Sequence, residues 1–128
     1  MSLLTTERIK HDRALRRLRH IKQSISEMQA LLGGIDVAAI RSDSFRRAAF
    51  ERFLEIISEA SRHVPDAWKA EHADIPWRNI RDIGNHLRHV YDDLDLTVLW
   101  DIYQNDLGPL EAAIDAMLAE HAPKDWSP

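Results

Sequence analysis

The stretch IRDIGNHLRHVYDDLD, residues 80–95, combines helical periodicity with a high density of histidine and arginine. Pro76 precedes it and suits the first turn of a helix. The N–H groups of that turn have no partners within the helix, and proline has no N–H group. Apolar residues then recur at steps of three and four, which predicts one continuous helix from about Pro76 to about Asp92. Its inward stripe would comprise Trp77, Ile80, Gly84, Leu87 and Tyr91.

A polar face lies beside this apolar stripe. Arg81, Asn85 and His89 are each four residues apart, so a continuous helix would align them, and Arg88 is adjacent to His89. Gly84 falls in mid-helix, where glycine costs roughly 0.5–1 kcal/mol relative to alanine. We therefore expect a packing reason for glycine at this position, such as the close approach of another backbone.

The N-terminal part of the chain predicts a long basic helix. The helix would run from about Thr6 to Leu32, with a seam at heptad spacing from His11 onward, and Gly33-Gly34 is a clear signal for its end. Its basic residues could bind nucleic acid or simply form a solvated face. The apolar seam would comprise His11, Ala14, Leu18, Ile21, Ile25, Met28 and Leu32.

Two further helices are expected before residue 65, followed by a connector. Asp36 would cap a short helix over 37–40, a long helix would span about 45–63, and residues 65–76 would contain a helical turn or two between prolines. The cap of the long helix is expected at one of three residues, namely Ser42, Asp43 or Ser44. The buried side of that helix would comprise Ala49, Phe53, Ile56, Ile57 and Ala60.

The last part of the chain predicts one kinked helix. Asp95 or Thr97 would be its N-cap, because acids suit a helix start better than a helix end. Pro109 would kink it near residues 104–107, since proline lacks an N–H and crowds the preceding turn. Residues 120–128 are expected to fray.

No alternating apolar pattern bounded by hairpin turns predicts a strand. We therefore expect an all-α fold, in which residues 1–128 form a single domain. Its architecture would be an antiparallel bundle of four long helices plus one or two short ones, with the last helix kinked near Pro109.

The composition excludes several classes of protein. The chain has no cysteine, which rules out disulfides, thiolate zinc sites and cysteine nucleophiles. No apolar run approaches the length that spans a bilayer, so we expect a cytoplasmic protein without a membrane partner. Residues 1–64 hold 12 Lys/Arg against 8 Asp/Glu, whereas residues 65–128 hold 5 against 13. This polarity is typical either of a protein that meets a polyanion on one face or of ordinary solvated helix faces.

The residues of the motif stretch permit acid–base chemistry better than metal or triad chemistry. His86 and His89 could chelate an ion, but nearby arginines would repel it, so we expect neither a metal nor a cofactor. A neutral imidazole can take the proton from a 2′-hydroxyl of RNA, while arginine holds the phosphate and a cyclic phosphate forms. An Arg/His face on a helix can equally be structural or merely anion-binding.

Five stretches of the sequence together carry a family resemblance. WRNIRDIGNHLRHVY, residues 77–91, is followed by residues 95–100 and by NDLGPL, residues 105–110, while RRA at 46–48 and LEIISEA at 54–60 precede it. In this order they resemble the HepT-like family of HEPN-domain toxins. The resemblance implies a helical bundle that forms a homodimer, with the motif helices facing one another across a cleft. It also implies a ribonuclease toxin with an RNA substrate and a nucleotidyltransferase antitoxin that can adenylylate the motif tyrosine.

The family motif is an arginine, four to six residues, a histidine, any residue and a tyrosine. Carried over to this chain, the histidine is His89, the tyrosine is Tyr91, and Asn85 matches the asparagine that commonly follows the arginine. The arginine departs from the pattern, because Gly84 stands five residues before the histidine. Two arginines could replace it: Arg88, as in a GNxLRHxY variant of the family, and Arg81.

Three hypotheses follow from these residues. The first is a metal-independent endoribonuclease toxin, with His89 as general acid–base and with Arg88 and Arg81 on the phosphate. In it, Asn85 and Tyr91 would position the substrate, and Tyr91 would be the antitoxin's target. The second is a non-catalytic protein that binds a nucleotidyltransferase or its nucleotide, in keeping with glycine in place of the motif arginine. The third is a purely structural bundle.

Overall fold

The structure is a computed structural model that describes residues 2–89 and 93–127, and every regular element in these ranges is a helix. The all-α fold class is therefore confirmed. The helices are α1 (Leu3–Leu32), α2 (Val37–Ser42), α3 (Ser44–Arg62), α4 (Asp66–Ala70), α5 (Trp77–Arg81), α6 (Ile83–Leu87), α7 (Asp93–Asn105) and α8 (Leu107–His121).

Helix α1 lies at the centre of the bundle, between α3 and α8. The predicted seam is buried except for its first residue, His11, which is exposed. The His11 ring donates a hydrogen bond from Nε2 to the carbonyl oxygen of His121 over 2.8 Å. Lys22, which is later in α1, pairs with Asp115, which is earlier in α8. The start of α1 therefore lies beside the end of α8, and the two helices run antiparallel.

Short polar caps fix the turn between α1 and α3. Gly34 has a φ of +83°, a conformation that glycine adopts without the steric cost other residues incur. The Asp36 carboxylate accepts from the Ala39 amide at 3.2 Å and so caps α2, as predicted. Asp43 caps α3 by accepting from the first amides of that helix, and each such cap contributes about 1 kcal/mol.

The buried face of α3 differs from the prediction. Ala49, Phe53 and Ile56 are only half-buried, because α3 packs against α1 on one side and against α5 and α6 on another. This second contact rotates and widens the buried arc, which comprises Phe50, Leu54, Ile57, Ser58, Ala60 and Ser61.

The continuous helix predicted from Pro76 to Asp92 is wrong. The segment forms two helices of five residues each, α5 and α6, which are separated at Asp82. The break turns Ile83 into the core beside Ile80, whereas Trp77 and Leu87 are half-buried. Tyr91, the last residue of the predicted stripe, lies outside the described residues, as do its two neighbours.

A redirected carbonyl group accounts for this break. In a continuous helix, the Arg81 carbonyl would accept from the amide of Asn85. It accepts instead from the Ser58 hydroxyl at 2.9 Å and from Nη2 of Arg62 at 3.2 Å. The Asn85 amide donates to the Asp82 carbonyl at 3.0 Å, so the chain makes a tight turn at Asp82.

The C-terminal helix is interrupted near residues 104–107, as expected from Pro109. Helix α7 ends at Asn105, four residues before Pro109, and α8 begins at Leu107. The predicted N-cap is wrong, because α7 begins at Asp93 and thus includes Asp95 and Thr97. Those two side chains have other partners: Asp95 binds His86, and the Thr97 hydroxyl donates to the carbonyl of Asp93.

The end of the chain, which the sequence predicts to fray, contacts α1 in the structure. The Trp126 indole donates from Nε1 to Oδ1 of Asp12 over 2.7 Å, and its ring packs against the core. Among the described helices, none is long and apolar enough to cross a membrane.

Candidate functional site

The two arginines predicted to bind phosphate have different surroundings. Nε of Arg81 lies 3.4 Å from Oδ1 of Asp82, and this ion pair is largely exposed. The pKa of Lys69 is lowered, and burial is the largest cause. The nearby Asp66 carboxylate raises this pKa, and the positive charge of Arg81 lowers it. The charge of Arg81 is partly balanced by Asp82.

Arg88 begins an exposed turn directly after α6. Its Nη1 donates to the side-chain oxygen of Asn85 over 3.4 Å, and both side chains are exposed. Across residues 2–89 and 93–127, Arg88 forms no ion pair. Asn85 thus contacts Arg88. The predicted alignment of Arg81, Asn85 and His89 along one helix does not form, because the helix breaks at Asp82.

His89 is exposed in the same turn. Its amide donates to the carbonyl of His86 at 3.1 Å, which holds the turn close to the end of α6. Arg88, Asn85 and His89 are thus all accessible from solvent. Tyr91, the remaining predicted site residue, is outside the part of the chain that the structure describes.

His86 makes a contact that the sequence did not predict. Its Nδ1 lies 2.7 Å from Oδ1 of Asp95, and the two side chains are 33% and 20% exposed. This contact joins α6 to the first turn of α7. The sequence signal was present, because an aspartate nine residues after a histidine can meet it across a turn, but Asp95 was assigned to a helix cap instead.

Gly84 faces a groove between α3 and α6. The groove has a volume of about 380 Å³, and its lining includes Ser58, Gly84 and Leu87 together with four charged residues, Glu55, Glu59, Arg62 and Arg88. The predicted close approach of another backbone to Gly84 is not observed among the described residues, and the neighbouring group is the Arg62 side chain. A Cβ atom on Gly84 would lie 3.7 Å from Nη2 of Arg62, an ordinary van der Waals contact.

His86 and His63 each lie beside a carboxylate group. His86 is bound to Asp95, and Nε2 of His63 lies 3.2 Å from Oε1 of Glu59. Among the described side chains, one group of three has ligand atoms within 4.8 Å of one another, and it contains neither histidine: Glu71, Glu120 and His121.

The family model described as "Ribonuclease HepT-like" matches residues 21–117. A protein from Thermococcus cleftensis named "Probable ribonuclease HepT" is 35% identical over 75 residues, which is 59% of this chain and 68% of that protein. A protein from Caldanaerobacter subterraneus, provisionally named an RNase, is 28% identical over 101 residues, which is 79% of this chain and 90% of that protein. No solved structure matches the chain.

Proposed function

The chain belongs to the HepT-like ribonuclease family, and on that premise we propose that it is a metal-independent endoribonuclease. The observation that carries the proposal is the exposed turn after α6, in which Arg88 and His89 are adjacent and Arg88 is hydrogen-bonded to Asn85. This turn lies within the residues that the family model matches.

In the proposed reaction, His89 acts as general base and Arg88 binds the scissile phosphate. The neutral imidazole takes the proton of the 2′-hydroxyl, the 2′-oxygen bonds to phosphorus, and the bond from phosphorus to the 5′-oxygen breaks. The protonated imidazole can return a proton to the leaving 5′-oxygen. The guanidinium of Arg88 stabilises the charge that grows on the phosphate oxygens, and a 2′,3′-cyclic phosphate remains.

Between the two candidate replacements for the motif arginine, the surroundings favour Arg88. Arg81 is paired with Asp82, whereas the Arg88 guanidinium has donors left for a phosphate. Asn85 would hold the Arg88 side chain, and Tyr91 would position the substrate.

A homodimer would place two copies of this turn in one cleft. Exposed apolar side chains support a dimer, since Leu94 at the start of α7 is 71% exposed and Phe45 at the start of α3 is 89% exposed. We expect the protein to sediment as a dimer and Leu94→Glu to shift it toward the monomer. Sedimentation of the wild type as a monomer at micromolar concentration would remove this part of the proposal.

The proposed biological role is the toxin of a cytoplasmic toxin–antitoxin pair. A nucleotidyltransferase antitoxin would attach AMP to the Tyr91 hydroxyl and so silence the toxin. Intact mass spectrometry after co-expression with the nucleotidyltransferase should show one added AMP unit, which Tyr91→Phe should eliminate. A non-catalytic protein that is modified at the same tyrosine is the alternative, supported by the missing side chain at Gly84.

Incubation of purified protein with RNA in excess EDTA tests the catalytic proposal. We expect cleavage products that end in cyclic phosphate, and no cleavage of DNA of the same sequence because it lacks the 2′-hydroxyl. Cleavage that needs an added divalent cation would overturn the mechanism. If the wild type leaves RNA intact while Gly84→Arg cleaves it, the non-catalytic alternative is correct.

A further inference from the structure

We infer that Arg62, at the end of α3, is a second phosphate-binding residue of the proposed RNA site. The inference rests on the proposed function but adds a residue that lies 27 positions before His89 in the sequence. No spacing rule connects Arg62 to the motif stretch. The structure brings the two together in the groove between α3 and α6.

Gly84 leaves open space on α6 beside the Arg62 guanidinium. Nη2 of Arg62 lies 3.7 Å from the position that a Cβ atom on Gly84 would occupy. A methyl group would fit at that distance, but a longer side chain would compete with the guanidinium for the same space. Glycine at this position therefore leaves room for a positive charge from a different helix.

A hydrogen bond fixes the direction of the guanidinium. Nη2 of Arg62 donates to the Arg81 carbonyl at 3.2 Å, beside the Ser58 hydroxyl that donates to the same oxygen. A guanidinium has five N–H donors, so this bond leaves others for a phosphate. Because the side chain is already anchored, binding an anion would cost less conformational entropy than it would for a freely rotating arginine.

The groove is lined by two arginines and two glutamates, and these charged residues differ in their partners. The two glutamates of its lining have their own cationic or imidazole partners, since Glu55 lies 2.7 Å from Nη1 of Arg52 and Glu59 lies 3.2 Å from the His63 ring. By contrast, neither Arg62 nor Arg88 forms an ion pair within the described chain. A guanidinium often binds a phosphate through two parallel N–H···O bonds, and this groove offers two guanidinium groups.

Arg62→Gln tests the inference, with Arg46→Gln as the matched control. Arg46 is an exposed arginine at the other end of α3, paired with Asp43. We expect Arg62→Gln to lower the single-turnover cleavage rate about 10- to 100-fold, the range typical of a lost charge-assisted hydrogen bond. The control should cleave at the wild-type rate, and thermal unfolding should show that both variants fold.

Binding of single-stranded RNA separates this inference from the proposed cleavage. Each lost phosphate contact should reduce the slope of log affinity against log salt by about 0.7, so Arg62→Gln should show that reduction and Arg46→Gln should not. If the wild type does not cleave RNA, the proposed function fails, while the salt slope still tests Arg62. An unchanged slope in Arg62→Gln would overturn the inference.

A substitution at Gly84 tests the geometry directly. Gly84→Leu should displace the guanidinium and reduce RNA affinity as Arg62→Gln does. Gly84→Leu and Arg62→Gln act on the same contact. The double variant should therefore bind RNA no more weakly than either single variant. Additive losses would show that Gly84 and Arg62 act separately and would contradict the proposed geometry.

Discussion

Nδ1 of His86 lies 2.7 Å from Oδ1 of Asp95, and this contact ties the end of α6 to the start of α7. In sequence, the contact brackets His89 and Tyr91, the two residues that match the histidine and tyrosine of the family motif. The pair thus holds both ends of the segment that carries the proposed chemistry.

Replacing either member of this pair should destabilise the protein. We expect His86→Ala and Asp95→Ala each to lower the free energy of unfolding by about 1 kcal/mol, the usual contribution of one partly exposed hydrogen bond. In urea denaturation, the double variant should lose less than the two single losses added together. Asp74→Ala, a change at an exposed aspartate, serves as the control and should leave stability unchanged. Fully additive losses would show that the two side chains do not interact.

Ser58→Ala should weaken the turn between α5 and α6. Ser58 is buried and donates to the redirected carbonyl of Arg81, so its removal should cost about 1 kcal/mol of unfolding free energy. Ser61→Ala is the matched control, because Ser61 is a buried serine of α3 whose hydroxyl donates to a carbonyl of the same helix. Equal destabilisation by the two substitutions would argue against a special role for Ser58.

The Asp12–Trp126 contact should respond to acid pH. Hydrogen bonds from Arg16 and then from Trp126 hold the pKa of Asp12 below its usual value of 3.8. Because the folded pKa is depressed, the contact contributes stability above pH 3.8 and loses it as the pH falls through the lowered pKa. The NMR signal of the Trp126 indole N–H should therefore shift with a midpoint below 3.8.

Arg16→Gln provides the control for that titration. Removing the larger of the two interactions should move the midpoint up toward 3.8. A midpoint at or above 3.8 in the wild type would show that folding does not lower the pKa of Asp12.

Local sequence signals predicted much of this fold. The seam of α1, its end at Gly33-Gly34 and the interruption before Pro109 depend on residues within a turn or two of one another. The break at Asp82 does not, because it requires Ser58 and Arg62, which lie 23 and 19 residues before Arg81. No periodicity within residues 76–92 could reveal those partners.

The same distinction holds for the candidate site. Arg88, His89 and Asn85 are close in sequence and could be singled out by their spacing and by the family resemblance. Arg62 could not, since it reaches the groove only through the packing of α3 on α6. Contacts between distant helices decide which of the chain's many arginines share a groove.

The single-turnover rate of RNA cleavage by His89→Ala tests the central proposal most directly. General acid–base catalysis typically contributes 10²- to 10⁴-fold, so the rate should fall by about that factor relative to the wild type, with RNA affinity little changed. His20→Ala, at an exposed histidine of α1, should cleave like the wild type. Cleavage by folded His89→Ala at the wild-type rate would contradict the assignment of His89 as the catalytic residue.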